Sequence, residues 1–490
     1  MMLRALLTIG AVQAITMVVL LVRTKVLAVM LGPESVGVMA VIDKMLAVIV
    51  GTVSLSLPFA AIRFLPERWV AGPSEFRALF TSMRRVLSAL IFLAMTGALL
   101  ITLFQPALWG DALLPYRDAV AVAILGLPVI GLIPFLRNAI AGRMDQNRSM
   151  FVGLLHAIVL TAATIGIWWR GLVGYYAVYA ALGVVLAVVV VRLATRGTTV
   201  PQHTPSSQRR SALGLPAPVW RFSGALLLLT FLAPYAALFV HYRLLSNHGA
   251  ETAGWMQAAV GIGLAVRTGL GSAHAVFLTP NVNRGGSPGE RMEWANRFQL
   301  MFCLLAGLAV PPLLLFPDLA IDLLYSPAFA PGAAFVMVFV LTEVVNLLCG
   351  TYQALVVALD RLRYHVTINL VAQGLVVAAA YQLVGPFAIL GAGLAGLVAP
   401  VFLYISTIVF LRRSYGLGMT RRVAARSGWL LLSLVVAGLT GASLRDPTWE
   451  SLLLKAVTYL LVSAGFAVLL TGHERTRIRE TLEGWRARWT

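Results

Sequence analysis

TMVVLLVRTKVLAVMLGPESVG, residues 16–37, is an apolar run that is interrupted twice by charge and closed by a Leu-Gly-Pro turn. Extended back to about residue 5, the run before Gly32 is long enough to cross roughly 30 Å of hydrocarbon. Gly32-Pro33 ends it, and a second run of the same kind starts near residue 36. Arg23 and Lys25 are the anomaly. A cation at mid-bilayer costs roughly 3 kcal/mol on insertion scales. Two in one span require a water-filled cavity, a protein partner or an anionic ligand.

The pattern continues to the end of the chain. Of 490 residues 59% are hydrophobic and 12% charged, and the mean hydropathy is +0.87. That balance excludes a soluble globular protein and defines an all-α polytopic membrane protein. About fourteen transmembrane helices are expected, over 5–31, 36–61, 86–104, 119–141, 150–168, 175–193, 222–245, 253–279, 298–316, 332–358, 364–384, 389–411, 427–444 and 451–471. The first reads as a retained helix, since it is too long for a cleaved signal and has no small-x-small site.

An even number of spans places both termini on one side. With that side taken as cytoplasmic, 29 of the 38 Lys and Arg fall in cytoplasmic segments, 5 in outer segments and 4 inside helices. This asymmetry follows the positive-inside rule and accounts for the net charge of +19. Nucleic acid is therefore not an expected partner; membrane lipids are. Cys303 and Cys349 both lie in apolar runs and read as packing residues, so neither a disulfide nor a metal site is expected. No phosphate-binding Gly-Lys-Ser/Thr loop or catalytic triad is present, and the chain implies neither a cofactor nor an enzyme.

The chain repeats itself. GPESVGVM at 32–39 aligns with GAETAGWM at 249–256, and AGRMDQNR at 141–148 with VALDRLRY at 357–364. Glu34 precedes Asp145 by 111 residues, and Glu251 precedes Asp360 by 109. Two motifs that keep nearly one spacing indicate a duplication. Each half holds an even number of spans, so the expected layout is two parallel six-helix lobes around a central cavity. The expected divisions are an N-lobe over 1–193, a Pro/Ser/Thr-rich cytoplasmic linker over 194–221, a C-lobe over 222–412, and two further helices with a basic cytoplasmic tail over 413–490. Asp145 and Asp360 are expected to cap helix N-termini.

Six charged side chains fall within spans: Arg23, Lys25, Asp43, Lys44, Arg267 and Glu343. Facing lipid, they would cost roughly 15–20 kcal/mol together, so they must face protein or water. Polar residues fall on the same helical faces. Gln13 and Thr16 lie with Arg23; Gly271 and His274 with Arg267; Asn346, Gly350 and Gln353 with Glu343. Four cations against two acids suit an anion, and guanidinium groups suit phosphate oxygens in particular. Lys25 and Lys44 can also snorkel to the interface, Asp43 can pair with either lysine, and Glu343 can partner an arginine or bind a coupling ion.

The opening QAITMVVLLVRTKVLAVMLGPESVGVMAVIDKM, followed by LSLPFAAIRFLPE, resembles the bacterial polysaccharide transporter (Wzx-type) flippases of the multidrug/oligosaccharidyl-lipid/polysaccharide (MOP) superfamily. Arg23-Thr24-Lys25 and Leu31-Gly32-Pro33 with Gly37 carry the resemblance, and the layout of six, six and two spans agrees with it. It implies a protein of the bacterial cytoplasmic membrane. Its partner would be a lipid-linked oligosaccharide on polyprenyl pyrophosphate, moved from the inner to the outer leaflet by alternating access. A polysaccharide polymerase and a chain-length regulator would act alongside it. The pyrophosphate ligands implied are Arg23, Lys25, Lys44 and Arg267. Asp43, Glu343, Gln13, Asn346, Gln353 and His274 would line the cavity or couple to an ion. The alternatives are a lipid II flippase, a cation-coupled multidrug exporter, which would want an acidic cavity, and an oligosaccharide polymerase or ligase, which would want a long outer loop.

Overall fold

Glycine at a helix junction allows a backbone that L side chains avoid, and two of the glycines in the aligned motifs use that freedom. In the computed structural model, Gly32 has φ 70 and ψ 177, and Gly249 has φ 85 and ψ 170. Each breaks a long helix in two. The structure describes residues 2–143, 145–196, 214–273, 278, 282, 286–446 and 448–469. His274, residues 197–213 of the linker and the basic tail from 470 lie outside the described residues.

The elements are α1 (Met2–Val53), α2 (Leu57–Ala71), α3 (Pro73–Phe104), α4 (Arg117–Ile124), α5 (Leu127–Gly142), α6 (Gln146–Ala162), α7 (Ile167–Thr195), α8 (Ala217–Ala273), α9 (Pro288–Ala309), α10 (Pro311–Leu315), α11 (Pro317–Leu324), α12 (Val336–Ala358), α13 (Leu362–Tyr415), α14 (Arg421–Ser443) and α15 (Trp449–Val468). Among the described residues, four 3₁₀ segments join them and there is no strand. Among the described residues, nine helical stretches are long and apolar enough to span a membrane. The pair Asp111–Ile124 and Leu127–Gly142, bent by 43°, passes the same test when the two helices are taken together. Four of the nine contain a non-helical break, at Gly32, Arg170-Gly171, Gly249 and Ala388. Cut at those breaks, and with the bent pair counted as one, the described residues hold fourteen such stretches, in line with the about fourteen expected.

Two expectations need correction. The second span is not one helix to residue 61: Leu55 and Ser56 are both left-handed (φ 48 and φ 56), and α1 stops at Val53 before α2 begins. Asp145 caps α6 as expected, accepting a bond from the Arg148 amide at 3.1 Å and pairing with the Arg148 guanidinium at 3.0 Å. Asp360, its counterpart, does not cap α13. It is itself left-handed (φ 57) and closes the end of α12, with the Arg361 amide bonded back to the Val356 carbonyl at 3.2 Å.

The chain forms two compact units. The first comprises residues up to Ala258 with Asp322–Pro331 and Asn369–Ala395; the second comprises Ala259–Ile321, Gly332–Ile368 and the chain from Gly396. In the first, Phe76, Phe80 and Phe135 stack in a row at centroid spacings of 5.9 and 5.7 Å, joining α3 to α5. In the second, Tyr352 donates to the buried Asn296 at 3.0 Å, and Arg426 donates to the Leu469 carbonyl at 2.7 Å. Both cysteines there are buried and free.

The aligned motifs meet in the first unit. A Cβ at Gly37 would overlap the Ala250 carbonyl and the Gly254 amide, and one at Gly254 would overlap Pro33. The two helix starts therefore touch backbone to backbone, each at the glycine that its own motif supplies. This reciprocity is what a two-fold relation between the repeats requires.

Candidate functional site

The first polar cluster lies in the first unit, on α1 and α7. The Arg170-Gly171 break turns the chain into the second part of α7, which opens with Tyr175 and Tyr176 and adds Tyr179 one turn later. Arg23 donates from Nη2 at 2.6 Å and from Nε at 3.1 Å to the Tyr175 hydroxyl, and its guanidinium carbon lies 5.5 Å from that ring's centroid. The Tyr176 hydroxyl donates to Asp43 Oδ1 at 2.9 Å. Tyr175 packs edge-on to Tyr176 at 5.3 Å and stacks on Tyr179 at 6.4 Å; Tyr179 bonds His156 Nε2 at 3.2 Å.

One cation and one acid are thus each tied to a tyrosine and not to each other. Tyr175 and Tyr176 are buried, whereas Arg23 is half-buried and Asp43 exposed, although both sit well inside their helices. Arg23 has five N–H donors, and the bonds seen here use two of them. The remaining donors can serve an anion. Lys44 is half-buried beside Asp43 and within electrostatic reach of His241. Gln13 is half-buried on α1, and Thr16 bonds back to the Val12 carbonyl at 2.7 Å.

Lys25 points elsewhere. Its ammonium donates to the Asp322 carbonyl at 2.5 Å, in the last turn of α11. A cation there satisfies a helix-terminal carbonyl and complements the helix dipole.

The second cluster lies in the second unit. Arg267 Nη1 pairs with Glu343 Oε2 at 3.4 Å; the arginine side chain is 55% exposed and the glutamate 14%. Asn346 Nδ2 donates to the same oxygen at 3.2 Å. Gln353 lies two to three turns further along α12, half-buried beside Cys349. The structure therefore brings Arg23, Asp43 and Lys44 together in one unit and Arg267, Glu343 and Asn346 in the other.

The tyrosines escape a reading that follows charge. Their signal is nonetheless present: YYAVY at 175–179 places three hydroxyls in an apolar span, and buried hydroxyls need partners.

No family model matches the chain, and no curated protein matches it. Solved structures do. An inward-facing multidrug resistance MATE family transporter of the MOP superfamily aligns with a TM-score of 0.64 at 14% identity, covering 86% of this chain and 99% of its own. The lipid II flippase MurJ, in an inward closed conformation, aligns with a TM-score of 0.64 at 11% identity, covering 94% and 97%. A MOP superfamily transporter from Pyrococcus furiosus, described as having reversed binding-pocket polarity, aligns with a TM-score of 0.52 at 14% identity, covering 86% and 96%. At these identities the likeness is one of fold. Over nearly its whole length, this polytopic all-α chain has the fold of MOP superfamily transporters.

Proposed function

We propose that the chain is a flippase for oligosaccharides linked to polyprenyl pyrophosphate, moving them from the inner to the outer leaflet of a bacterial cytoplasmic membrane with both termini in the cytoplasm. The observation that carries the reading is Arg23: a mid-span guanidinium oriented by Tyr175, beside an acid held by Tyr176, with donors left for an anion. A drug exporter for cations has no use for such a group. A pyrophosphate bridging a lipid tail and a glycan does, because paired N–H donors replace the water around its oxygens.

Arg23 and Lys44 are the proposed pyrophosphate ligands of the first cluster, and Arg267 is the proposed anion ligand of the second. Glu343 holds Arg267 until an anion displaces it. Gln13, Asn346 and Gln353 offer polar groups to the glycan. The polyprenyl tail stays in lipid, and rocking of the two repeats exposes the ligands alternately to each side.

The test is complementation. Arg23→Glu and Arg267→Glu are expressed at verified membrane levels in a strain lacking the protein, and surface polysaccharide is measured. The expected result is loss of polysaccharide with lipid-linked units accumulating on the inner leaflet. Normal polysaccharide from both variants would overturn the assignment of ligands. New glycosidic bonds formed by the purified protein would overturn the reading as a transporter.

A further inference from the structure

The repeat extends to a pair of cross-contacts that the charge pattern does not reveal. Gly32 and Gly249 are 217 residues apart, as are Gly37 and Gly254. The same offset takes Lys25 to Tyr242. Lys25 lies on the first span of the first repeat, and Tyr242 on the first span of the second, in α8 before its Gly249 break.

The two residues do the same thing. Lys25 donates to the Asp322 carbonyl at 2.5 Å, in α11, which belongs to the connection between the third and fourth spans of the second repeat. Tyr242 lies against Gly110, between the 3₁₀ turns Pro106–Trp109 and Asp111–Tyr116, which connect the third and fourth spans of the first repeat. Gly110 has φ 96, and a Cβ there would overlap the Tyr242 ring and hydroxyl. Each repeat thus reaches across from its first span and pins the other repeat's connection, at equivalent positions and with unlike chemistry. Around them, Gly37 and Gly254 bring the two helix starts into backbone contact. Each connection is also tied within its own repeat: Tyr116 donates to Glu34 at 2.6 Å, and the Trp255 indole donates to the Ala328 carbonyl at 3.0 Å. All of these residues belong to the first compact unit.

We propose that Lys25 and Tyr242 are paired latches that hold the two repeats together at the Gly32/Gly249 end, and that both must release for that end to open. The pinned elements are an eight-residue helix and two short 3₁₀ turns. Releasing them disrupts no membrane span, so the state they stabilise is reversible. The latch assigns Lys25 to the gate and not to the anion. It rests on the alternating-access part of the proposed function and not on the identity of the substrate.

The experiment measures the gate without substrate. Leu108 and Leu323 are exposed, one on each pinned connection. Each is replaced by cysteine and spin-labelled in full-length protein with Cys303 and Cys349 changed to alanine, and pulsed electron resonance in lipid nanodiscs gives their distance distribution. The expected result is one dominant short distance in the parent. Lys25→Met and Tyr242→Ala should each raise the ratio of long to short distances about fivefold, a typical effect of losing one modest contact. The double variant should raise it further, and Gly37→Leu most of all, by wedging the helix starts apart. Distributions identical to the parent in monodisperse Lys25→Met and Tyr242→Ala protein would overturn the latch. So would a shift confined to Gly37→Leu, which would leave helix packing as the sole closing contact. Should the unmodified chain fail to flip lipid-linked oligosaccharide while the distances move as stated, the substrate reading falls and the latch stands.

Discussion

The two polar clusters use the same residue types in opposite ways. In the second unit, Arg267 pairs with Glu343 directly. In the first, tyrosines intervene: Arg23 is bonded to Tyr175 and Asp43 to Tyr176. Direct pairing offsets the charge of Arg267 with that of Glu343, through one N–H donor at 3.4 Å. Interception keeps an arginine oriented without neutralising it, because a phenol oxygen accepts a bond and carries no formal charge. Under the proposed function, the first cluster is prepared for an anion, while Arg267 in the second must first leave its own carboxylate.

That contrast is breakable. Arg23→Gln should lower transport by at least about 100-fold, and Arg267→Gln by about tenfold, since charged hydrogen bonds are worth roughly 1.5–3 kcal/mol and Arg267 is already engaged. Both are read as flipping rates in proteoliposomes. Equal losses would remove the distinction between the clusters.

Tyr176→Phe should sharpen it. Releasing Asp43 lets the carboxylate approach Arg23 and compete with the anion, and transport should fall about tenfold. The double variant Tyr176→Phe/Asp43→Asn should recover most of the loss, because no charged competitor remains. Additive losses in this cycle would show that Asp43 and Tyr176 do not act on Arg23 together.

The repeats differ in backbone as well. The break of α7 has Gly171 at φ 56, whereas its counterpart 217 residues on, Ala388, sits at φ 45 in the break of α13; Gly249 takes its own positive φ of 85 without strain. Ala388→Gly should stabilise the protein by about 1 kcal/mol, and Gly249→Ala should destabilise it by about 1–2 kcal/mol. Thermal unfolding in detergent checks both signs.

The smallest effect expected is at the equivalent aspartates. Asp145→Ala removes a helix cap and should cost about 1 kcal/mol. Asp360→Gly relieves a left-handed residue and should gain about 0.5 kcal/mol. Opposite signs in the same unfolding assay would support the divergence of the two junctions; matching signs would not.

Much of the fold is legible in the chain because its causes are local. Apolar run length marks the spans, Gly32 and Gly249 mark the turns, and the spacing from Glu34 to Asp145 and from Glu251 to Asp360 exposes the duplication. The candidate site is only half legible. Its charges stand out against hydrocarbon, but their partners do not. Asp145 and Asp360 look alike in sequence, and only the backbone angle at 360 separates a cap from a helix end.

The sequence by itself determined an all-α membrane protein of about fourteen spans, a two-fold repeat and a surplus of cations within the spans, since hydropathy, turn chemistry and charge are properties of neighbouring residues. Tertiary structure alone decided which cation meets which partner. Arg23 finds Tyr175 from 152 residues away and Lys25 reaches Asp322 from 297 away. Both contacts are hydrogen bonds a few ångströms long, created by packing helices against one another, and no periodicity in the chain records them.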